Sequence, residues 1–412
     1  MPRKLRLLQA PFTSVAYMEH FTGECRRWRH SAVRVLHGVE AMTLIRPLEA
    51  ADIPAVAGLF QRIFRDARQP TPEALAVYLR RLYLEFPGRD PEINPLVHLK
   101  DDGGISGFIG VTPLRMTFEG KPLRAAICGS LMVENHESDP MAGARLLKAF
   151  LAGPQDISLS ETASEVSAAM WTRLRGVQLS QYSLDWIRVI RPVSFFTHLI
   201  SAKARAARMF SPLAGRIDQT LRGRMEADAL HWSGLSDKWK RAGGYGTVQI
   251  TRDEFAGLIA PLTAHFPLRP DWASDQLEQI LLDAERKEEY GPATFCRVET
   301  KTGKPVGAFL YHSTPGAIGR VLQVLALSGH TGAVIDSMLS YAAEQELAGL
   351  RGRTQPALLE AMLGRRIAFT HLASTVVHAR DPEIVRAFED GKAFLNGIAG
   401  EHWSRLIGSR FE

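Results

Sequence analysis

Cysteine is scarce in this chain: three residues in 412, at Cys25, Cys128 and Cys296. Far apart and odd in number, they form neither a disulfide framework nor a clustered zinc site. Cys128 and Cys296 sit in apolar runs (RAAICGSLMV and PATFCRVE) and read as small buried hydrophobes. No run reaches the ~18 uncharged apolar residues of a membrane-spanning helix. The N-terminus is basic but has no unbroken apolar stretch with a small-residue cleavage site, so no signal peptide is expected and the cytoplasm is the default. There is no GxGxxG and no GxxxxGK[ST], which argues against dinucleotide and P-loop binding. The lack of GxSxG argues against an α/β-hydrolase. No CxxC, paired histidines or carboxylate cluster stands at metal-ligand spacing, so no metal is expected.

What is present is a globular composition, 45% hydrophobic and 23% charged, on a chain long enough for two domains. The formal charge of +6 is unevenly placed. Residues 1–41 carry +4 and residues 193–244 carry +5, which leaves the remainder at −3. Any argument for an acidic partner therefore concerns those two segments alone.

Residues 1–41 mix arginine clusters with scattered aromatics and hold no sustained period, so they read as a poorly ordered extension. Translation from Met42 is the other option. From there TLIRPLEAADIPAVAGLFQRIF predicts a strand, a turn and an amphipathic helix with its N-cap near Asp52. The pattern continues as helices near 52–65 and 71–85 and strands near 95–100, 105–118 and 121–134, with a tight turn at 119–122. A helix near 141–151, a strand at 156–160, a helix at 164–175 and strands within 177–191 complete the first half. From about 246 the order repeats: strand, two helices, three strands, a helix (GAVIDSMLSYAAEQE), then the stretch PALLEAMLGRRIAF and a strand around STVVHAR. The predicted class is α/β (α+β). It has two domains, 42–192 and 246–412, each a mixed, mostly antiparallel sheet flanked by helices, with a basic connector at 193–245.

The opening IRPLEAADIPAVAGLF (45–60) and the strand–loop–helix SLMVENHESDPMAGARLLKAFL (130–151) resemble the GNAT superfamily of acyl-CoA-dependent N-acyltransferases, here as a tandem pair. The resemblance covers roughly 42–192 and 246–408. It implies an acyl-CoA co-substrate, acetyl-CoA first, and an amine acceptor that the sequence does not specify. It also implies that the strand pairs with pantetheine and that the loop's amides meet the pyrophosphate at a helix N-terminus. Carried onto this chain, the backbone of Met132 and Val133 receives thioester and pantetheine. The loop and first turn at Ser138, Ala142, Gly143 and Ala144 form the anion cradle, with Gly329 and Gly332 as its counterpart in the second half. The family's glycine-rich loop is degenerate here, since of the positions Ser138, Met141 and Gly143 only the last keeps a glycine. Glu137 and Asp139 add negative charge beside it.

The family's tyrosine acid aligns with Trp171, which has no proton of suitable pKa. Met170, Trp171 and Leu174 instead mark the core face of a helix, and Tyr182 is a weaker substitute. Glu134 and His136 follow the candidate strand and are the expected catalytic pair. Ser160 and Glu161 end the next strand and could face the same cleft. His371 and His378 flank the strand ASTVV, more as structural residues than as bases. The connector's apolar residues, spaced by arginines, fit a linker packed between domains, an anionic membrane surface or a phosphate backbone. Two alternatives to the transferase stay open. One is a non-catalytic ligand-binding protein. The other is an aminoacyl-tRNA-dependent peptidyl transferase, although no heptad arm is visible.

Overall fold

A computed structural model describes residues 45–134, 137, 139–203 and 243–411. The extension 1–41, most of the basic connector, His136 and Ser138 lie outside the described residues. Two sheets organise the chain. The first runs β1 (Ile45–Pro47), β2 (Leu96–Leu99), β3 (Ile105–Phe118), β4 (Lys121–Val133), β5 (Ile157–Ala163), β15 (Ser374–Ala379) and β6 (Val177–Gln178), with β9 (Leu268–Pro270) added against β3. The second runs β14 (Ala368–His371), β7 (Leu184–Val189), β13 (Gly349–Arg353), β12 (Ile318–Ala326), β11 (Pro305–His312), β10 (Ala293–Thr300) and β8 (Tyr245–Gln249). Both sheets are mostly antiparallel and flanked by helices.

Local chemistry explains the early elements. Arg46 on β1 clamps Asp52 through two bonds of 2.6 and 2.9 Å, and Asp52 also accepts from the Glu49 amide at 2.8 Å. This bracing fixes the entry into helix Ile53–Phe64, whose second residue is Pro54, where no helical N–H is lost. β3 and β4 form a hairpin through Glu119 (φ 50) and Gly120 (φ 82), the two left-handed residues of a tight twisted turn. In the second half, Thr251 and Glu254 form a reciprocal capping box that starts helix Arg252–Thr263.

Four features differ from the sequence reading. β13 was absent from it, because GLRGR is short and carries neither an apolar run nor β-branched residues. The short helix Pro382–Glu389 and β9 were also absent. The largest difference is an exchange of strands. β7, from the first half, inserts between β13 and β14, while β15, from the second half, inserts between β5 and β6. Neither contiguous half therefore completes its own sheet. A strand's pattern records that one face is buried but not which edge it pairs with, so this exchange was invisible in sequence.

The largest apolar core lies between the sheets. Helices Ile53–Phe64 and Glu73–Leu84 meet helices Arg252–Thr263 and Ser274–Glu285 there, and the C-terminal segment 394–411 contributes Phe394, Ile398, Trp403, Leu406 and Phe411. Polar bonds anchor this segment. Tyr78 Oη donates to Asp283 at 2.9 Å and accepts from the Arg405 amide at 2.9 Å, and the buried Lys287 ammonium donates to the carbonyls of Ser404 and Ile407. Trp403 stacks on Phe86 with ring centroids 5.2 Å apart. On the opposite face of the first sheet, helices Ala142–Leu151 and Glu165–Arg173 bury Leu146, Leu147, Phe150 and Trp171 in a separate core.

Candidate active site

The first sheet has one parallel junction. Ala125, Ala126 and Ile127 of β4 face Ile157, Ser158 and Leu159 of β5, and beyond them no further pairing joins the two strands. β4 also carries a bulge. Its register against β3 shifts between Gly110↔Gly129 and Phe108↔Met132, and Ser130 there adopts φ 53. A bulge adds a residue and bends the strand, so β4 turns away from β5 just past the last paired residues. The result is a V-shaped opening with Gly129 to Met132 on one arm and Ser160 to Thr162 on the other.

The C-terminal segment reaches into this opening. Glu401 Oε1 accepts from Ser160 Oγ at 2.9 Å, the Glu161 amide at 2.5 Å and the Thr162 amide at 3.3 Å. Its Oε2 accepts from Thr162 Oγ1 at 2.8 Å. A Cβ on Gly129 would stand 3.1 Å from that Oε2, so glycine leaves the carboxylate its room. Beside it, the buried Glu161 carboxylate accepts from the amides of Gly397 (3.3 Å), Glu401 (2.7 Å) and His402 (3.4 Å), and His402 Nδ1 lies 2.7 Å from its Oε1. Gly400 is required at this contact, because a Cβ there would come within 2.1 Å of Glu161 Oε2. Arg353 donates to the Glu161 carbonyl at 2.8 Å and to Asp185 at 3.3 Å.

The two carboxylates differ in proton affinity. Burial alone would raise Glu161, but the His402 imidazole and the Arg353 guanidinium outweigh it and bring the pKa down to about 2. Burial raises Glu401, with the Glu161 charge adding to the effect against the amide and hydroxyl donors that oppose it. Adjacent acids pushed in opposite directions suit different tasks, one holding charge and the other exchanging a proton.

The strand–loop–helix residues named from sequence fall around the far end of β4. Met132 is buried and pairs with Phe108, and Val133 is half-buried opposite Gly107. Glu134 follows at the mouth, held by Arg62 at 2.6 Å and Lys100 at 2.8 Å. The Lys100 bond is the main cause of its lowered pKa. Ala142, Gly143 and Ala144 form the first turn of the helix, as expected, although the Ala142 amide is already bonded to Asp139 O at 3.2 Å. Of the two acids that seemed to oppose an anion, Asp139 is paired in place by Arg145, with His98 Nε2 at 3.7 Å. A Cβ on Gly143 would make only ordinary contacts with Val133 and Met170, so the loop tolerates a side chain there.

In the second half Gly329 has φ 81 with open space around it, and Gly332 lies beside Arg365, which pairs with Asp336. Ser160 and Glu161 do reach the opening, but they are occupied by the C-terminal segment. Trp171 is wholly buried core, and Tyr182 is buried with its hydroxyl donated to Ala393 O at 2.8 Å. His371 Nε2 lies 3.2 Å from Ser374 Oγ, and His378 has its pKa lowered by burial and Arg380. An open groove of about 390 Å³ at Gln249–Asp253, Glu285 and Phe295 lies at an edge of the second sheet and shares no lining residue with the β4–β5 opening. The sequence reading missed Glu401, His402, Arg353 and Gly397. The only local signal was GIAGEH (397–402), two glycines at spacing three followed by an acid and an imidazole in a stretch without helical period.

This arrangement of strands has known counterparts. The fold is GNAT-like. A GCN5-related N-acetyltransferase from Kribbella flavida aligns at TM-score 0.50 and 12% identity, over 82% of this chain and 71% of that one. One from Anabaena variabilis aligns at TM-score 0.51 and 11% identity, over 82% and 73%. A protein from Enterococcus faecalis V583, described as of unknown function and a probable N-acyltransferase, aligns at TM-score 0.53 and 10% identity, over 82% and 72%. No protein-family model and no curated protein sequence matches the chain.

Proposed function

We propose that the protein is an acyl-CoA-dependent N-acyltransferase, acetyl-CoA first, whose reaction centre is the β4–β5 opening. The observation that carries this reading is the parallel pair that parts beside a bulge, with a helix N-terminus at the end of β4. Strands that part leave unpaired backbone groups able to bind an extended amide-bearing arm such as pantetheine. The first turn at Gly143 and Ala144 offers helix N-terminal amides to the phosphates, while Arg62, Lys100 and Arg145 offset the charge of Glu134 and Asp139. We assign the amides of Met132 and Val133 to the thioester end. Glu134 we assign to holding Arg62 and Lys100 beside the loop, since its paired carboxylate is a poor proton acceptor. The two halves are read as related domains, of which the first binds the co-substrate.

Calorimetric titration with acetyl-CoA and longer acyl-CoAs tests the reading, and absence of binding up to millimolar concentration sinks it. Gly143→Glu is expected to weaken binding at least tenfold by placing a carboxylate against pyrophosphate, while Gly332→Glu leaves it unchanged. The reverse pattern moves the site to the second half. One observation favours a second reading, a non-catalytic acyl-CoA binder: the position aligned with the family's tyrosine is Trp171, sealed in the core. Binding without turnover supports that reading.

A further inference from the structure

We propose that Glu401, carried in by the C-terminal segment, is the group that takes the proton from the acceptor amine. This rests on the acyltransferase reading above. The argument begins with sides. Helix Ala142–Leu151, whose N-terminus would face the phosphates, packs in the core on one face of the first sheet. The segment bearing Glu401 packs in the core on the other face, with helices Ile53–Phe64 and Glu73–Leu84. A thioester threaded through the opening from the first face leaves the second for the amine. Glu401 enters from that second face, just past the last β4–β5 pair, between Gly129 and the Ser160–Thr162 arm.

The donors are unequally shared. Oε1 has three, whereas Oε2 has Thr162 Oγ1 alone, and Oε2 is the oxygen nearest Gly129. Oε2 thus keeps a lone pair for an incoming N–H. The ionisable groups around it are Glu161 and His402, with Arg353 behind them and the buried Cys128 thiol on β4, whose pKa burial and Glu401 raise. In the step, the amine lone pair forms the N–C bond and the carbonyl π pair moves to oxygen. Oε2 removes the N–H proton, the carbonyl re-forms, and sulfur departs with the C–S pair and takes up a proton. The balance is amine plus thioester to amide plus free thiol, with Glu401 returned to its carboxylate.

The test uses the full chain with acetyl-CoA, and water or hydroxylamine as acceptor, which requires no knowledge of the natural amine. Free thiol is followed with a disulfide dye and acetyl-CoA affinity by calorimetry. Glu401→Gln keeps the shape and the Oε1 bonds. It is expected to slow thiol release about 100-fold, leave Kd within threefold, and abolish the acid limb of the kcat/KM profile. Glu401→Asp, which keeps the charge and shortens the reach, recovers part of the rate and restores the limb. Thiol release by the wild type no faster than without protein, or an E401Q rate within twofold of wild type, overturns the assignment. An E401Q that slows turnover yet keeps the wild-type pH profile also overturns it, since that marks a structural role. If E401Q does not fold, an unchanged kcat in E401D does the same. A wild type that binds no acetyl-CoA overturns the acyltransferase reading itself, which separates the two failures.

Discussion

The two sheets carry the same backbone device and fill it with different chemistry. In the second sheet, Ile318–Val321 of β12 pairs in parallel with Gly349–Gly352 of β13, and β12 bulges against β11 between Val321 and Gln323. This matches the junction of β4 and β5, yet its filling is neutral. Gln323 Oε1 accepts from the Ile398 amide at 3.1 Å, and Asn396 Nδ2 donates to Thr354 O at 2.7 Å and Tyr182 O at 3.0 Å. The first opening holds two carboxylates, an imidazole and an arginine; the second holds the side-chain amides of Gln323 and Asn396. One stretch, 396–402, closes both. Equal geometry therefore does not mean equal function, because the first opening holds acidic and imidazole side chains where the second holds amides.

The comparison breaks most readily at Glu161. Both its oxygens accept N–H groups, so Glu161→Gln turns one acceptor into a donor facing donors and leaves His402 without its anion. A loss of about 4 kcal/mol is expected in denaturant unfolding. A variant within about 1 kcal/mol of wild type would mean that the carboxylate pair does not organise the first opening.

Acid gives the next effect. The folded pKa of Glu161 lies below the ordinary carboxylate value of 4.5, at about 2. Its contribution is therefore complete above pH 4.5 and is lost as pH falls towards 2, on the order of 3 kcal/mol in all. Glu401, shifted the other way, opposes this. Unfolding midpoints measured across that window should fall steeply for the wild type and less for Glu161→Gln; parallel slopes would contradict the assignment.

The smallest effect belongs to the second opening. Gln323→Leu leaves the Ile398 amide without an acceptor and should cost about 1–2 kcal/mol. Its destabilisation is expected to be independent of pH between 2 and 5, since no charge is removed. A pH-dependent loss would mean that the two openings are coupled through the shared segment.

Much of the fold was legible because its elements announce themselves locally. IRPLEAAD contains both members of the Arg46–Asp52 clamp, EGKP the hairpin turn, and TRDE the capping box. The loop of the candidate site was legible as a place, but its electrostatics were not. Asp139 looked hostile to phosphate until Arg145, a turn along the helix, was seen to pair with it, and Glu134 looked like a free base until Arg62 and Lys100, distant in sequence, were seen to hold it. Glu401 was illegible as a site residue, because it lies about 240 positions from the strand whose amide it caps.

The sequence by itself determined most of the element order, the basic charge carried by the tail and the connector, and the strand–loop–helix at 130–151. Each depends on periodicity, turn chemistry or composition within a short window. Tertiary structure alone decided the exchange of β7 and β15 and the meeting of Glu161 with Glu401 and His402. A strand's alternating pattern fixes its buried face but leaves its partner open, and a buried carboxylate is defined by donors that only folding brings within reach.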